Sequence, residues 1–171
     1  MLRIVAHTSS AAAKSYYRSA DYYEDESRGQ WGGKGAERLG LVGEVSKEAF
    51  DSLCDNRIPG TGEPLTVRTK GERRVGYDFT FNAPKSVSVL HALTGDNRII
   101  EAFREAVQAT LTDMEKEAKT RVRIHGQQDE RLTGEMIWGE FVHTTSRPVE
   151  GIPYPHLHCH AFVINATYDP K

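Results

Sequence analysis

The chemistry that this sequence could support begins with three alternating histidines, His156, His158 and His160. On a β-strand, residues two apart point to the same face and lie roughly 6.6 Å apart along it. Two imidazoles at that spacing can converge on one ion, and His143, on a predicted neighbouring strand, is placed to supply a third ligand. Three neutral histidines with open positions are typical of a catalytic metal site. Alternating histidines also occur in hydrolases, in oxygenases and on ordinary surface strands, so the spacing alone leaves these alternatives open.

A second group with chemical potential is four tyrosines within eight residues, Tyr16, Tyr17, Tyr22 and Tyr23, on or just after a predicted helix. Neighbouring helical residues lie about 100° apart around the axis, so Tyr16 and Tyr17 cannot both face one site. A phenol with a pKa near 10 is a poor nucleophile until a base or a metal assists it. Its merit as a nucleophile is that it forms a covalent ester that can later be reversed. Aromatic packing is the alternative interpretation.

The third feature is a carboxylate, Asp78, between apolar neighbours on a predicted central strand. A carboxylate in such a place needs a partner. It could satisfy a buried turn, orient a ligand histidine or activate a hydroxyl. Lys85 and Ser86, near a predicted helix start, could contact an anion. A modest basic patch precedes the strand, consisting of Arg68, Lys70, Arg73 and Arg74.

Predicted strands and helices alternate along the chain in a way that groups these residues. The strands are expected over residues 2–6, 75–81, 121–125, 136–144 and 157–166, with at most one more near 65–68. The helices are expected over residues 10–23, after Ser46, from Pro84, and from Asp96 or Asn97. Residues 25–35 are expected to form a polar loop with an exposed Trp31. This order predicts an α+β fold, a central antiparallel sheet with helices on one face, in which the last two strands form a hairpin.

The composition fits one domain over residues 1–171, with 38% hydrophobic and 27% charged residues. No run approaches the ~18 apolar residues that a membrane span needs. Only two cysteines, Cys54 and Cys159, are present, which indicates a reducing compartment. The formal net charge of −2 disfavours a nucleic-acid binder mildly, since such domains usually carry net positive charge.

Taken together, these motifs resemble the relaxase domain of conjugative DNA relaxases of the TrwC/TraI type (MobF class), members of the HUH endonuclease superfamily. The resemblance covers essentially the whole chain, and it is specific because several motifs occur in the same order. They are the tyrosine pairs and residues 31–40, 78–88, 143–147 and 157–161. The resemblance implies the HUH palm, a sheet similar to ferredoxin-like and RRM folds. It also implies that residues 1–171 are a single relaxase domain, truncated on its C-terminal side, at the front of a longer protein.

The resemblance assigns a metal triad to His143, His158 and His160. It leaves His156 without a ligand role, so His156 is expected to be a bystander. Asp78 matches the carboxylate that orients a ligand histidine and helps to activate the nucleophile. The family is described with Mg²⁺ or Mn²⁺, whereas the ligand preference of three histidines favours Zn²⁺, Ni²⁺ or copper. We therefore expect a divalent metal ion without specifying which.

The resemblance further implies a nickase and strand transferase that acts on single-stranded DNA at a transfer origin. Tyr16 matches the nucleophile that forms a 5′-phosphotyrosine. Accessory or second-transfer roles are implied for the other tyrosines, Tyr17, Tyr22 and Tyr23. The expected DNA-binding residues are Trp31, Lys34, Arg74, Lys85 and Arg147.

The implied setting is the bacterial cytoplasm, with accessory transfer proteins as partners and a helicase domain in the longer protein. Two alternatives stay open at this point. One is a three-histidine metal hydrolase or oxygenase that acts on a small molecule, with the tyrosines used in packing. The other is a fragment that binds single-stranded DNA without catalysis.

Overall fold

The computed structural model describes residues 1–20, 28–67, 73–124 and 127–170, with the side chains of residues 16–20 and 124 excepted. The strands are β1 (Leu2–His7), β2 (Gln30–Gly32), β3 (Gly76–Asn82), β4 (Lys119–Ile124), β5 (Gln127–Leu132), β6 (Trp138–Thr145) and β7 (Pro155–Ile164). The helices are α1 (Ser10–Ala20), α2 (Lys34–Arg38), α3 (Lys47–Cys54), α4 (Lys85–Thr94) and α5 (Asn97–Lys116).

The main sheet is antiparallel throughout, with the strand order β1-β3-β7-β6-β2. The histidine strand β7 is therefore central, with β3 on one side and β6 on the other. The predicted α+β fold and the predicted hairpin of the last two long strands are both confirmed. The pairing of β6 with β7 becomes irregular between His143 and Thr145, which places a bulge directly beside the candidate site.

Helices cover both faces of this sheet, so the prediction that they lie on one face is wrong. Successive residues of β7 point to opposite faces. Cys159, Ala161 and Val163 pack in one apolar cluster with Val107 of α5. Another cluster combines residues from the opposite face of the sheet with residues of α1, α2 and α3, and its members include Ala13, Ala36, Phe50, Leu53, Phe162 and Ile164. This second cluster covers one end of its face, and the histidines lie at the other end.

Local capping explains where the helices begin and end. Ser46 Oγ accepts a hydrogen bond from the Ala49 N–H at 3.2 Å, which caps α3 as predicted. Asp96 caps the long helix α5 by accepting from the Arg98 N–H at 3.0 Å. Gly95, with a φ of 64°, ends α4 in the left-handed conformation that glycine adopts without strain.

The glycine-rich segment around Trp31 is ordered, so the prediction of a polar loop is wrong for residues 30–35. These residues form β2, which pairs with β6, and the start of α2. The glycines allow close packing here: a Cβ on Gly33, whose φ is 94°, would lie 2.3 Å from the Met136 carbonyl oxygen. Trp31 is half-buried against the second cluster, not exposed.

Two smaller features concern the predicted strands. Residues 65–67 bend without joining a sheet, which agrees with the expectation of at most one strand near residues 65–68, and residue 68 lies outside the described residues. Pro64 forms an isolated bridge with Arg57. The strand β5, which pairs with β4 in a separate two-stranded sheet, was not predicted. Its sequence, Gln-Gln-Asp-Glu-Arg-Leu, lacks the apolar alternation that marks a half-buried strand, because this ribbon is largely exposed. Among the described residues, no helix is long and apolar enough to cross a membrane.

Candidate metal centre

Three imidazoles lie together on the open end of one sheet face. His143 on β6 pairs directly with His158 on β7, and His160 follows two residues later on the same face. The ring centroids of His143 and His158 are 5.1 Å apart, those of His158 and His160 are 5.1 Å apart, and those of His143 and His160 are 5.9 Å apart. In the described part of the chain, no three His, Cys, Asp or Glu side chains are already arranged around one ion position.

Burial keeps two of these rings neutral. His143 is 5% exposed and His158 is 7% exposed. Desolvation, reinforced by the neighbouring histidines, lowers the pKa of His143 to about 3. Burial also lowers the pKa of His158 to about 4, although the hydrogen bond to the His156 carbonyl acts in the opposite direction. A metal binds only neutral imidazole, so both side chains are ready to act as ligands at neutral pH.

The Nδ1 atoms of His158 and His160 both face acceptors. His158 Nδ1 lies 2.8 Å from the His156 carbonyl oxygen, and His160 Nδ1 lies 3.1 Å from both carboxylate oxygens of Asp78. A carbonyl or carboxylate oxygen accepts, so Nδ1 donates in each case. The lone pair then resides on Nε2, and an outer hydrogen bond of this kind is the usual way to orient a ligand histidine. The donor set therefore fits a metal ion in its chemistry.

The strand β3 supplies a row of polar side chains on the same face, and sequence reasoning identified only the first of them. Asp78, Thr80 and Asn82 alternate along β3 and so point the same way. Thr80 Oγ1 donates to Asp78 Oδ2 at 3.2 Å, and Asn82 Oδ1 lies 3.0 Å from His156 Nε2. Period-two alternation beside a predicted neighbouring strand was the signal that could have identified Thr80 and Asn82.

The turn that follows β3 holds the histidine strand in place. Leu157 N–H donates to Ser88 Oγ at 2.9 Å, and the Leu157 carbonyl accepts from the Ala83 N–H at 3.0 Å. Lys85 Nζ, which the sequence assigned to an anion, donates to the Pro155 carbonyl at 2.6 Å. Residues 78–88 thus form hydrogen bonds along β7 from Pro155 to His160. Several of the polar residues in this segment take part in these bonds.

The other predicted DNA-binding cations lie at both ends of the sheet. Arg147 is exposed and follows the end of β6 that carries His143. Arg74 precedes β3 at the end opposite the histidines, and its guanidinium donates to the hydroxyl of Tyr77 at 3.0 Å. Lys34 is exposed at the start of α2, where its backbone N–H donates to Glu115 Oε1 at 2.8 Å. Gly35, the next residue of α2, donates its N–H to the Met136 carbonyl at 2.9 Å. Met136 lies just before β6, away from the histidines.

The predicted tyrosines fall largely outside what the structure describes. Tyr16 and Tyr17 lie within α1, but their side chains are among those excepted above. Tyr22 and Tyr23 lie outside the described residues. The helix itself contacts β1 and α3, with Ala13 buried in the second cluster. Lys14 Nζ and Asp55 Oδ2 form an ion pair at 2.5 Å that joins α1 to the end of α3.

Known proteins are similar to this chain in both sequence and fold. The chain is 42% identical over 170 residues to the multifunctional conjugation protein TraI of Escherichia coli strain K12, covering 98% of this chain and 10% of TraI. A metal-bound structure of the conjugative relaxase TrwC in complex with oriT DNA superposes with a TM-score of 0.83 at 39% identity, covering 99% of this chain and 58% of TrwC. A copper-bound TrwC complex gives the same TM-score at 38% identity, with 99% and 59% coverage.

These relatives are longer than this chain, which spans a tenth of TraI and under three fifths of the TrwC chains. The model of the TrwC relaxase family matches residues 8–171, almost the whole sequence. That match includes α1, the glycine-rich segment, the β3 row and all three histidines of the cluster. The chain therefore belongs to the TrwC relaxase family.

Proposed function

We propose that this chain acts as a metal-dependent nickase and strand transferase of single-stranded DNA at a transfer origin, and that residues 1–171 belong to its relaxase domain. The observation that carries the proposal is the cluster of His143, His158 and His160 with Asp78 behind it, in a chain of this family. Relatives at 38–39% identity have been solved with oriT DNA and with metal. A three-histidine hydrolase of a small molecule would account for the histidines, but not for the similarity of the rest of the chain to relaxases.

In this proposal, His143, His158 and His160 hold one divalent metal ion. The ion supplies a positive charge that polarises the scissile phosphate and neutralises charge growing on its oxygens. Asp78 keeps His160 oriented through the hydrogen bond to Nδ1. Mg²⁺ and Mn²⁺ follow from the family, whereas imidazole donors favour Zn²⁺, Ni²⁺ or copper, so a panel of these ions decides which one supports activity.

The nucleophile in this proposal is the phenol oxygen of Tyr16. It forms a bond to the phosphorus of the scissile phosphodiester while the bond to the 3′ oxygen breaks. The products are a 5′-phosphotyrosine and a free 3′-hydroxyl, so one ester replaces another. The phenolic proton passes to Asp78, and the 3′ oxygen takes up a proton from water as it leaves. Rejoining is the reverse reaction, with a 3′-hydroxyl as the attacking group.

The remaining predicted residues are proposed to bind the DNA or to act in a second strand-transfer step. Tyr17, Tyr22 and Tyr23 are proposed for accessory or second-transfer steps. Stacking on Trp31 and contacts with cations would hold the strand, the cations being Lys34, Arg74, Lys85 and Arg147. The two free cysteines are both buried, which accords with the proposed bacterial cytoplasm. Accessory transfer proteins and a helicase domain in a longer protein complete the proposed setting.

The decisive experiment is a covalent-adduct assay. Labelled single-stranded oligonucleotides from candidate transfer origins are incubated with the chain and one ion of the panel, then resolved after denaturation. The proposal predicts an adduct that is lost in Tyr16→Phe and kept in Tyr17→Phe, the matched control one residue away. An adduct that survives in Tyr16→Phe would assign the nucleophile elsewhere. DNA binding without any adduct would favour a non-catalytic DNA-binding protein.

A further inference from the structure

The ring of His156 lies flat against that of the candidate ligand His158. Their centroids are 4.4 Å apart and their planes differ by 16°, a stacked arrangement. The His156 carbonyl oxygen lies 2.8 Å from His158 Nδ1. His156 therefore contacts its neighbour twice, through its side chain and through its backbone.

Asn82 anchors the His156 ring at its Nε2 atom. Asn82 Oδ1 lies 3.0 Å from His156 Nε2, and Asn82 Nδ2 donates to the Met1 carbonyl at 3.4 Å. The contact with a carbonyl assigns the amide nitrogen, so Oδ1 is the atom that accepts from His156. The backbone of Asn82 is fixed as well, because its N–H donates to the same Met1 carbonyl at 3.0 Å. The ring of His156 is thus anchored at its far nitrogen.

This geometry makes His156 unsuited to be a fourth ligand. The nitrogens that bind one ion point at a common position. In two stacked, nearly parallel rings, the nitrogen lone pairs lie in parallel planes and do not meet at one position. Its Nε2 is also committed to Asn82. The side chain nevertheless limits how the His158 ring can turn, because rotation of that ring would have to leave the stack.

We propose that His156, anchored by Asn82, is a positioning residue that fixes the ring plane and tautomer of His158. This inference rests on the proposed function in one respect, that His158 is a metal ligand. The backbone carbonyl restrains Nδ1, and the stacked ring restrains rotation of the imidazole about its bond to Cβ. Removing outer contacts of a ligand histidine typically weakens metal affinity by about 10–100-fold. The expected bystander therefore has a role, although not as a ligand.

The test compares metal affinity, measured by calorimetric titration with Mn²⁺ and with Zn²⁺, across four variants. His156→Ala removes the ring and keeps the carbonyl, and should weaken binding about 10-fold. His156→Phe restores a flat ring and should bind within about threefold of wild type. Asn82→Ala should show a smaller loss in the same direction. His91→Ala, which removes a half-buried imidazole on α4, is the matched control and should bind like wild type.

A second readout needs no metal. The ¹⁵N chemical shifts of His158 in the metal-free protein report which nitrogen carries the proton. Wild type and His156→Phe should show the Nδ1–H tautomer. In His156→Ala the carbonyl remains, but the unstacked His158 ring can turn Nδ1 away from it, so this variant should show a mixture of both tautomers. If His156→Ala keeps both the wild-type affinity and the pure tautomer, the proposal is overturned. Equal losses of affinity in His156→Ala and His156→Phe would also overturn it. If wild type binds no metal, the proposed function fails, and the tautomer comparison still decides the role of His156.

Discussion

Replacing Asp78 tests whether the carboxylate behind His160 contributes to metal binding. Asp78 is 6% exposed and accepts from His160 Nδ1 with both oxygens at 3.1 Å. It also accepts from Thr80 Oγ1 at 3.2 Å. Asp78→Asn keeps an acceptor of nearly the same shape but removes the charge, whereas Asp78→Ala removes the acceptor entirely.

The expected size of each effect follows from these contacts. A hydrogen bond to a charged group contributes about 1.5–3 kcal/mol and one between neutral groups about 0.5–1.5 kcal/mol, so Asp78→Asn should lose about 1–1.5 kcal/mol. Since 1.36 kcal/mol is a factor of ten, the metal affinity of Asp78→Asn should fall about 10-fold. In Asp78→Ala the donors of His160 and Thr80 lose a buried partner, and the affinity should fall by about 10–100-fold.

Calorimetric titration with Mn²⁺ and Zn²⁺ measures these affinities, and urea unfolding of the metal-free variants shows whether they are folded. Glu140→Gln is the matched control, because it removes the charge of another buried carboxylate, which lies beside Ala161 on the face opposite the histidines. It should bind metal within about threefold of wild type. A folded Asp78→Ala protein that binds metal as tightly as wild type would refute the idea that Asp78 positions His160.

Two further predictions concern stability. An unfolded histidine titrates near pH 6.5, whereas the folded pKa is about 3 for His143 and about 4 for His158, so acid favours the unfolded, protonated chain. As the pH is lowered from ~6 to ~4, the free energy of unfolding of the metal-free protein should fall by up to about 1.4 kcal/mol per pH unit for each of these histidines. Urea unfolding at several pH values measures this slope, and an undiminished slope in His143→Asn would contradict the assignment. Gly33→Ala should cost about 2–4 kcal/mol, because the Cβ would add overpacking against Met136 to the strain of a positive φ. Gly40→Ala, with a φ of 70° and nothing within 4 Å of the added Cβ, should cost only about 1–2 kcal/mol, and equal costs would rule out the packing explanation.

Much of the site could be anticipated from local sequence because strand periodicity has a strict geometric consequence. Alternation along β7 placed His158 and His160 on the face opposite Cys159, and the structure confirms this separation. The capping residues Ser46 and Asp96 were also predictable, since each satisfies N–H groups within its own helix turn. Both kinds of inference depend on neighbours in sequence.

Other features depend on partners far away in sequence. The glycine-rich segment near Trp31 reads locally as a loop, and it becomes a strand and a helix only because β6 and the Met136 carbonyl lie against it. Lys85 reads locally as an anion contact, and only the structure shows that it also donates to the Pro155 carbonyl, 70 residues later. No local pattern carries this information.

His156 shows most clearly which features follow from the local sequence and which depend on the tertiary structure. By itself, the sequence determined the strand that carries the histidines, the face that they share, and the family to which the whole pattern is similar. Only the tertiary structure decided that His156 stacks on His158 and is anchored by Asn82, and that His160 is the histidine that Asp78 contacts. The physical reason is that side-chain direction on one strand follows from its own periodicity, whereas contacts between β3 and β7 follow from strand order and register, which the packing of the whole sheet sets.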